Sequence, residues 1–537
     1  MRAHTSSGPG RLLRRCAVAL SLALAATAAC TGGDDEATDT PTPAPSVSSA
    51  RTCAPRPDVP KHQMRGMWVA SVRSLDWPSK PGLSVREQQA ELVAQLDLAR
   101  ENRLNAVFLQ VRPSGDTFWP SELEPWSQWL SGKQGKDPGY DPLAFAVREA
   151  HERNIELHAW FNPYRASFEA PPVDLTRGHP ARQHPSWVFK YGKDLYYDPG
   201  VPAAREFVQR VVLEAVRRYD IDGVHFDDYF YPYPLPGKQL PDKRTFARYG
   251  DGFDHIGAWR RHNVNTMVRD VGRRIHAEKP AVKFGISPFG IWKNDSSDPR
   301  GSPTKGLESF HAIYADSRTW VKRGWIDYVA PQLYWHRGFA VADYAKLVPW
   351  WADLVRDTDV HLYIGQAAYR LGTEKAWRSR DVLSANLALN RNYPAVRGDV
   401  YFNAASVRED RGRGFSRLVD DHYSRPAMLP PIDHLGGRAP GAPRVLGATA
   451  ADDGVTVRWR DGPGRTPTSY AVYRVAGESA SPCAFADARS LVATVRRGDR
   501  QTFVDRTAED GTTYTYYVTG VDRLGNESQP GPGRTTG

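Results

Sequence analysis

Residues 221–231 read Ile-Asp-Gly-Val-His-Phe-Asp-Asp-Tyr-Phe-Tyr, and the adjacent carboxylates Asp227 and Asp228 are the strongest chemical signal in the chain. Two carboxylates in one cleft repel, so one holds a proton while the other stays ionised. Glycoside hydrolysis needs that division into an acid and an anion. Alternation along a strand places His225 and Asp227 on one face and sends Asp228 to the other. The pair converges only if the strand ends there, and the aromatic run leading to Pro232 predicts such an end. Asp222, at the start of the same segment, is expected to be structural.

Other apolar segments end in groups suited to sugars. Gln110 and Arg112 share one face, His158, Trp160 and Asn162 another with Tyr164 just beyond, and Gln332 and Tyr334 a third followed by Trp335. Tyr229 adjoins the acid pair and Asn403 closes the last segment. Amides and hydroxyls orient a sugar's many hydroxyls, while aromatic rings cover its C–H faces. Trp77, Trp119, Trp126, Trp129, Tyr231, Tyr233 and Trp292 are expected to extend that surface, against the plainer reading that each packs into the core. No second acid stands at the ends of the fifth, sixth or seventh segments, which favours nucleophilic attack by a substrate acetamide. With no cysteine–histidine cluster or metal-binding Asp/His set, no metal or organic cofactor is expected and a deacetylase is disfavoured.

These residues need a scaffold that gathers segment ends. Eight short apolar segments, at 64–72, 105–113, 155–164, 222–230, 283–290, 328–335, 360–369 and 398–406, alternate with helical periods at 85–102, 142–154, 203–219, 254–278, 310–324 and 382–391. That alternation, without a Gly-rich dinucleotide turn, predicts an α/β fold, a (β/α)8 TIM barrel spanning 61–429 with chemistry at the strands' carboxyl ends.

The 537 residues allow more than one domain. Residues 1–29 carry a basic region and an apolar stretch, and Thr27-Ala28-Ala29-Cys30 reads as a lipobox with Cys30 as the lipidated residue. Such an anchor would hold the protein at the extracytoplasmic face of the cell membrane; plain secretion is the alternative. The Thr/Pro-rich stretch 30–60 lacks aromatics and predicts a disordered tether. Setting aside four leader arginines lowers the formal charge from +10 to +6 (67 minus 61), so no nucleic-acid partner is expected. Residues 430–443 read as a linker, and 444–537 as short alternating strands of a small all-β sandwich. Cys53 and Cys483 could bridge the two parts or stay unpaired.

Six ordered blocks carry a resemblance: Arg65-Gly66-Met67-Trp68-Val69, Gln110–Pro113, His158–Tyr164, Asp222–Tyr229, Gly285–Gly290 and Ala330–Trp335. They resemble the bacterial glycosyl-hydrolase-like family 10 lipoproteins, and 444–537 resembles a fibronectin type III module, which serves as readily as a spacer. The first resemblance implies a cell-envelope glycosidase acting on a polysaccharide; one member of that family cuts peptidoglycan strands freed of their peptides. The acid pair also resembles the adjacent aspartates of glycoside hydrolase family 84. That likeness implies that Asp227 positions a substrate acetamide, Asp228 is the general acid, and His225 and Tyr229 support them. The alternatives are a two-carboxylate hydrolase of another polysaccharide and a wall-binding protein without catalysis. Oligomeric state is not legible.

Overall fold

The computed structural model describes Cys53 and residues 58–168, 175–481 and 483–536; the leader, Cys30 and most of the stretch read as a tether lie outside the described residues. Eight parallel strands close into a barrel in chain order: Met64–Val69, Ala106–Arg112, Glu156–Phe161, Gly223–Phe226, Lys283–Ile286, Tyr328–Val329, His361–Gln366 and Val396–Tyr401. The first pairs with the last, Met67 opposite Tyr401. Seven of the apolar segments contain one strand each and the eighth, 398–406, overlaps Val396–Tyr401, which begins two residues earlier, so the α/β barrel stands.

The helices outside the barrel follow from caps and breaks. Ser84 accepts the Glu87 amide and Glu87 accepts the Ser84 amide, a reciprocal cap that starts Val85–Glu101 and stabilises it by about 1 kcal/mol. The single helix expected over 310–324 is instead two, Ser309–Ala312 and Ser317–Lys322. Tyr314 lies in the left-handed region at φ 58°, which breaks the hydrogen-bond ladder, and Asp316 caps the second piece.

Aromatic and imidazole rings fill the barrel interior because two strand glycines leave room. A Cβ on Gly223 would lie 2.4 Å from His158 Nδ1, and one on Gly285 would lie 2.2 Å from the Tyr328 ring. Trp68, Phe108 and Tyr363 pack in the same layer. A chain of hydrogen bonds runs down this interior. Trp68 Nε1 donates to His225 Nε2 (3.2 Å), His225 Nδ1 pairs with Tyr328 Oη (3.1 Å), Tyr328 Oη pairs with His158 Nδ1 (3.0 Å), and His158 Nε2 reaches Glu156 (3.1 Å). Burial, then the neighbouring His158, holds His225 well below the usual imidazole range, matching a neutral ring that accepts at Nε2.

After the third strand the chain builds a small antiparallel sheet from Arg165–Ser167, Val188–Tyr191 and Asp194–Tyr197. Gly192, at φ 66°, turns its hairpin.

The C-terminal strands form a three-stranded sheet (Arg444–Ala451, Gly454–Arg460, Thr502–Asp505) and a four-stranded one (Ser469–Ala476, Leu491–Arg496, Tyr514–Val521, Arg534–Thr535). Val457, Trp459, Tyr470 and Val518 pack between them. This unit sits against the amino-terminal end of the barrel strands. Arg523 donates to the Ile221 carbonyl (2.7 Å) and reaches Asp222 (3.1 Å), Lys61 pairs with Glu527 (2.7 Å), and Met428 packs on Tyr473 and Val521. Cys53 and Cys483 are joined by a disulfide. Residues read as a linker are packed: Ile432 is buried, and His434 Nε2 lies 2.8 Å from buried Asp327. The hydrogen bond to Asp327 raises the His434 pKa, partly opposed by burial. Its contribution to docking is therefore fully present below about 6.5, the unfolded value, and lost as pH rises through the folded value. Thermal unfolding should show a gap between wild type and His434→Gln that is widest near pH 6 and narrows by pH 9; a constant gap would refute the coupling.

Candidate active site

The fourth strand ends at Phe226, which frees Asp227 and Asp228 from strand alternation. Both are buried, yet both line a cavity of about 550 Å³ at the carboxyl end of the barrel. Asp227 sits among neutral donors: Trp160 Nε1 (3.1 Å) and Asn162 Nδ2 (3.2 Å) donate to Oδ2, and the Tyr229 amide (3.1 Å) donates to Oδ1. Asp228 accepts the Tyr233 hydroxyl and Gln332 Nε2, the latter at 3.0 Å. Burial and the neighbouring Asp228 charge push the Asp227 carboxyl up to about 7. Burial also raises Asp228, with Tyr233 and Gln332 pulling it back. Mutual repulsion disfavours a second charge, so the pair as a whole holds its last proton toward neutrality.

Seven of the residues singled out at strand ends line this cavity: Gln110, Trp160, Asp227, Asp228, Tyr229, Gln332 and Tyr334. Gln110 Oε1 accepts the Ser71 and Val72 amides (3.1 and 2.9 Å), so it also shapes the loop after the first strand. Tyr334 stacks on Phe402, with ring centroids 6.0 Å apart.

The other expected sugar contacts do other work. Arg112 is fully buried in a two-pronged pair with Glu124 (2.7 and 2.6 Å). His158 and His225 belong to the barrel interior, and His225 meets Ser287 (2.9 Å) rather than either aspartate. Asn162 holds Asp227 instead of a sugar, while its Oδ1 accepts the Arg165 amide (2.9 Å). Tyr164 is fully buried. Asn403 donates to Asp76 (2.7 Å), tying the last strand's loop to the first's, and Trp335 packs edge-on behind Phe289 at 5.5 Å. Asp222 is structural as expected, paired with His151 (2.8 Å). Among the loop aromatics, Trp77, Trp119, Tyr231 and Trp292 are core, Trp126 and Trp129 pack partly buried against it, and Tyr233 reaches the cavity. Deep pockets between the loops swallow these rings because a barrel with long loops has a second apolar layer to fill.

Arg73, Arg165, Phe168 and Asp194 line the cavity without having been expected there, and so do Ser287 and Phe289, which the sequence marks only as part of the Gly285–Gly290 block. Arg165 and Asp194 arrive on the small sheet after the third strand, whose alternating Val188–Tyr197 and turn glycine were the available signal. Asp194 is a third carboxylate in the cavity, raised by burial and lowered in part by Arg165. Among the described residues, no group of three or more His, Cys, Asp or Glu is gathered to hold a metal ion.

Known proteins bear on this arrangement. The glycosyl hydrolase-like 10 family matches residues 63–379. Glycosyl hydrolase YngK of Bacillus subtilis is 45% identical over 477 residues, 87% of this chain and 92% of that protein. Glycosyl hydrolase DigH of Escherichia coli is 41% identical over 362 residues, 63% of this chain and 82% of that protein. Among solved structures, the glycoside hydrolase domain of PgaB (BpsB) from Bordetella bronchiseptica is similar at a TM-score of 0.42 and 13% identity, covering 67% of this chain and 99% of that one. With its acid pair at the end of the fourth barrel strand, the chain belongs to the glycosyl hydrolase-like 10 family and is a glycoside hydrolase.

Proposed function

We propose that this hydrolase cleaves an N-acetylated β-glycan, namely peptidoglycan strands freed of their peptides, with the substrate's own acetamide as nucleophile. The observation that carries the reading is the buried Asp227–Asp228 pair lining the cavity, with Asp227 held among neutral N–H donors and its carboxyl pushed up by burial and by Asp228. Asp228 protonates the leaving oxygen while Asp227 orients the acetamide, whose carbonyl oxygen attacks C1. An acetamide N–H donated to Asp227 favours its carboxylate, which drives the shared proton to Asp228. The Tyr229 amide, Trp160 and Asn162 keep Asp227 fixed while this happens. The family resemblance carried by the sequence blocks supports this choice of glycan.

Asp194 favours a second reading, a two-carboxylate hydrolase in which it supplies the nucleophile or base. Digestion of purified peptide-free strands should release new reducing ends, with mass spectrometry identifying the terminal sugar. Strand binding without release would remove the first reading, and a covalent sugar on Asp194 would establish the second. In either case Cys30 carries a lipid that anchors the chain at the extracytoplasmic membrane face, with residues 444–537 as a fibronectin type III module. That module's contacts lie at the starts of the barrel strands, as at Ile221, away from the cavity.

A further inference from the structure

One wall of the cavity carries two arginines, Arg73 and Arg165, to which the acetamide mechanism gives no contact with the sugar. Arg165 is buried, its Nε finds no acceptor, and the nearest carboxylate oxygen, on Asp194, lies 3.9 Å away. Asp194 Oδ1 is likewise buried without a donor. Buried polar groups left short of partners are costly, so a pair of them facing a cavity is suited to a polar ligand that completes the set. Arg73, on the loop after the first strand, is exposed, lines the same cavity and makes no ion pair among the described residues. Both guanidinium groups face the Phe168 ring, at 5.3 Å for Arg73 and 4.5 Å for Arg165, and Arg165 also lies 4.6 Å from the Tyr229 ring. Stacking on aromatic faces holds a guanidinium flat while its edge stays available for a planar anion.

We propose that Arg73 and Arg165 form a carboxylate-binding subsite that selects sugar units bearing a free acid group. Planar carboxylates match guanidinium forks in a way that neutral sugar hydroxyls do not. Asp194 Oδ1 then accepts a hydroxyl or amide hydrogen from the same sugar. The inference rests on the substrate reading above: in a muramyl residue the lactyl group ends in a carboxylate only when no peptide is attached. The subsite would thereby reject strands that still carry peptides, because an amide presents neither the charge nor the second acceptor oxygen.

Arg165 also lies near Asp227 and Asp228 and pulls both carboxyls down, so its variants would slow every substrate. Exposed Arg73 gives the cleaner test. Wild type and Arg73→Gln would be compared on peptide-free strands and on the same strands with lactyl carboxylates converted to methylamides. Wild type should prefer the acid strands about tenfold in kcat/KM, the scale of one charge-assisted hydrogen bond, and the ratio should approach one in Arg73→Gln. A wild-type ratio near one, or an unchanged ratio in the variant, would overturn the subsite. If neither strand is cut, the substrate reading fails and calorimetric binding of N-acetylmuramic acid against its methylamide decides the subsite. Preference for the acid that disappears in Arg73→Gln supports it; equal binding, or none, overturns it.

Discussion

Asp228→Asn should lose about 10²–10⁴-fold on natural glycan, the usual worth of general acid catalysis, and far less on an aryl glycoside whose leaving group needs little protonation. Asp227→Asn should be impaired on both substrates alike, since a misplaced acetamide is slow whatever departs. The amide there also turns an N–H toward donors that now meet a carboxylate: Trp160, Asn162 and the Tyr229 amide. The pH profile supplies an independent arm. The pair keeps its last proton up to about 7, where burial and mutual repulsion have pushed Asp227. Raising pH through that value removes the acid, so kcat/KM on natural glycan should fall there, with a shallower fall on the aryl glycoside. A thiazoline that imitates the cyclised intermediate should inhibit strongly. The opposite pattern between the two variants would exchange the roles, and a covalent sugar trapped on any carboxylate would end the acetamide mechanism.

Period and composition made the barrel legible because each strand is a short apolar run between helical periods, and each run had to be buried on both faces. The acid pair was legible because two adjacent carboxylates inside such a run have no structural reason to be there. Which polar residues at strand ends face the cavity was not legible. Parity along a strand separates two faces, but one face of a barrel strand is the closed interior, and the cavity begins only where the strands stop. His158 and His225 obey the parity and sit one layer too deep, in space opened by Gly223 and Gly285. Arg165 and Asp194 escaped for the opposite reason. They lie on a small sheet inserted after the third strand, whose pairing Arg165↔Tyr196 is a tertiary fact that local pattern does not contain. Docking of the C-terminal unit was hidden too, since the Pro/Gly-rich composition of 430–443 marks a break in regular structure and says nothing about whether Ile432 is buried.

Arg112→Met should destabilise the protein by about 3–5 kcal/mol, the cost of stranding one member of a fully buried ion pair. Arg112 and Glu124 have no exposed side-chain surface, and once the guanidinium is gone Glu124 keeps, among the described residues, the Tyr197 hydroxyl at 3.4 Å as its hydrogen-bond donor. Burial already pushes the Glu124 carboxyl up and Arg112 pulls it back, so the variant's Glu124 takes up a proton more readily. The deficit should therefore shrink as pH is lowered, because a neutral carboxyl is cheaper to bury than an anion. Arg112→Met combined with Glu124→Leu should recover most of the loss, as apolar replacements of buried pairs commonly do. Urea midpoints across pH measure all three, and unchanged stability with a raised KM would restore Arg112 as a sugar contact. The pair also matters to the chemistry at one remove. Arg112 Nη1 donates to the Asn162 carbonyl (2.5 Å), and Asn162 in turn grips Asp227, so a loosened strand end should weaken the anion's cradle before it touches the sugar. Activity of the double variant should accordingly stay below wild type even where its stability returns, since a thioether side chain has no N–H to hold that carbonyl.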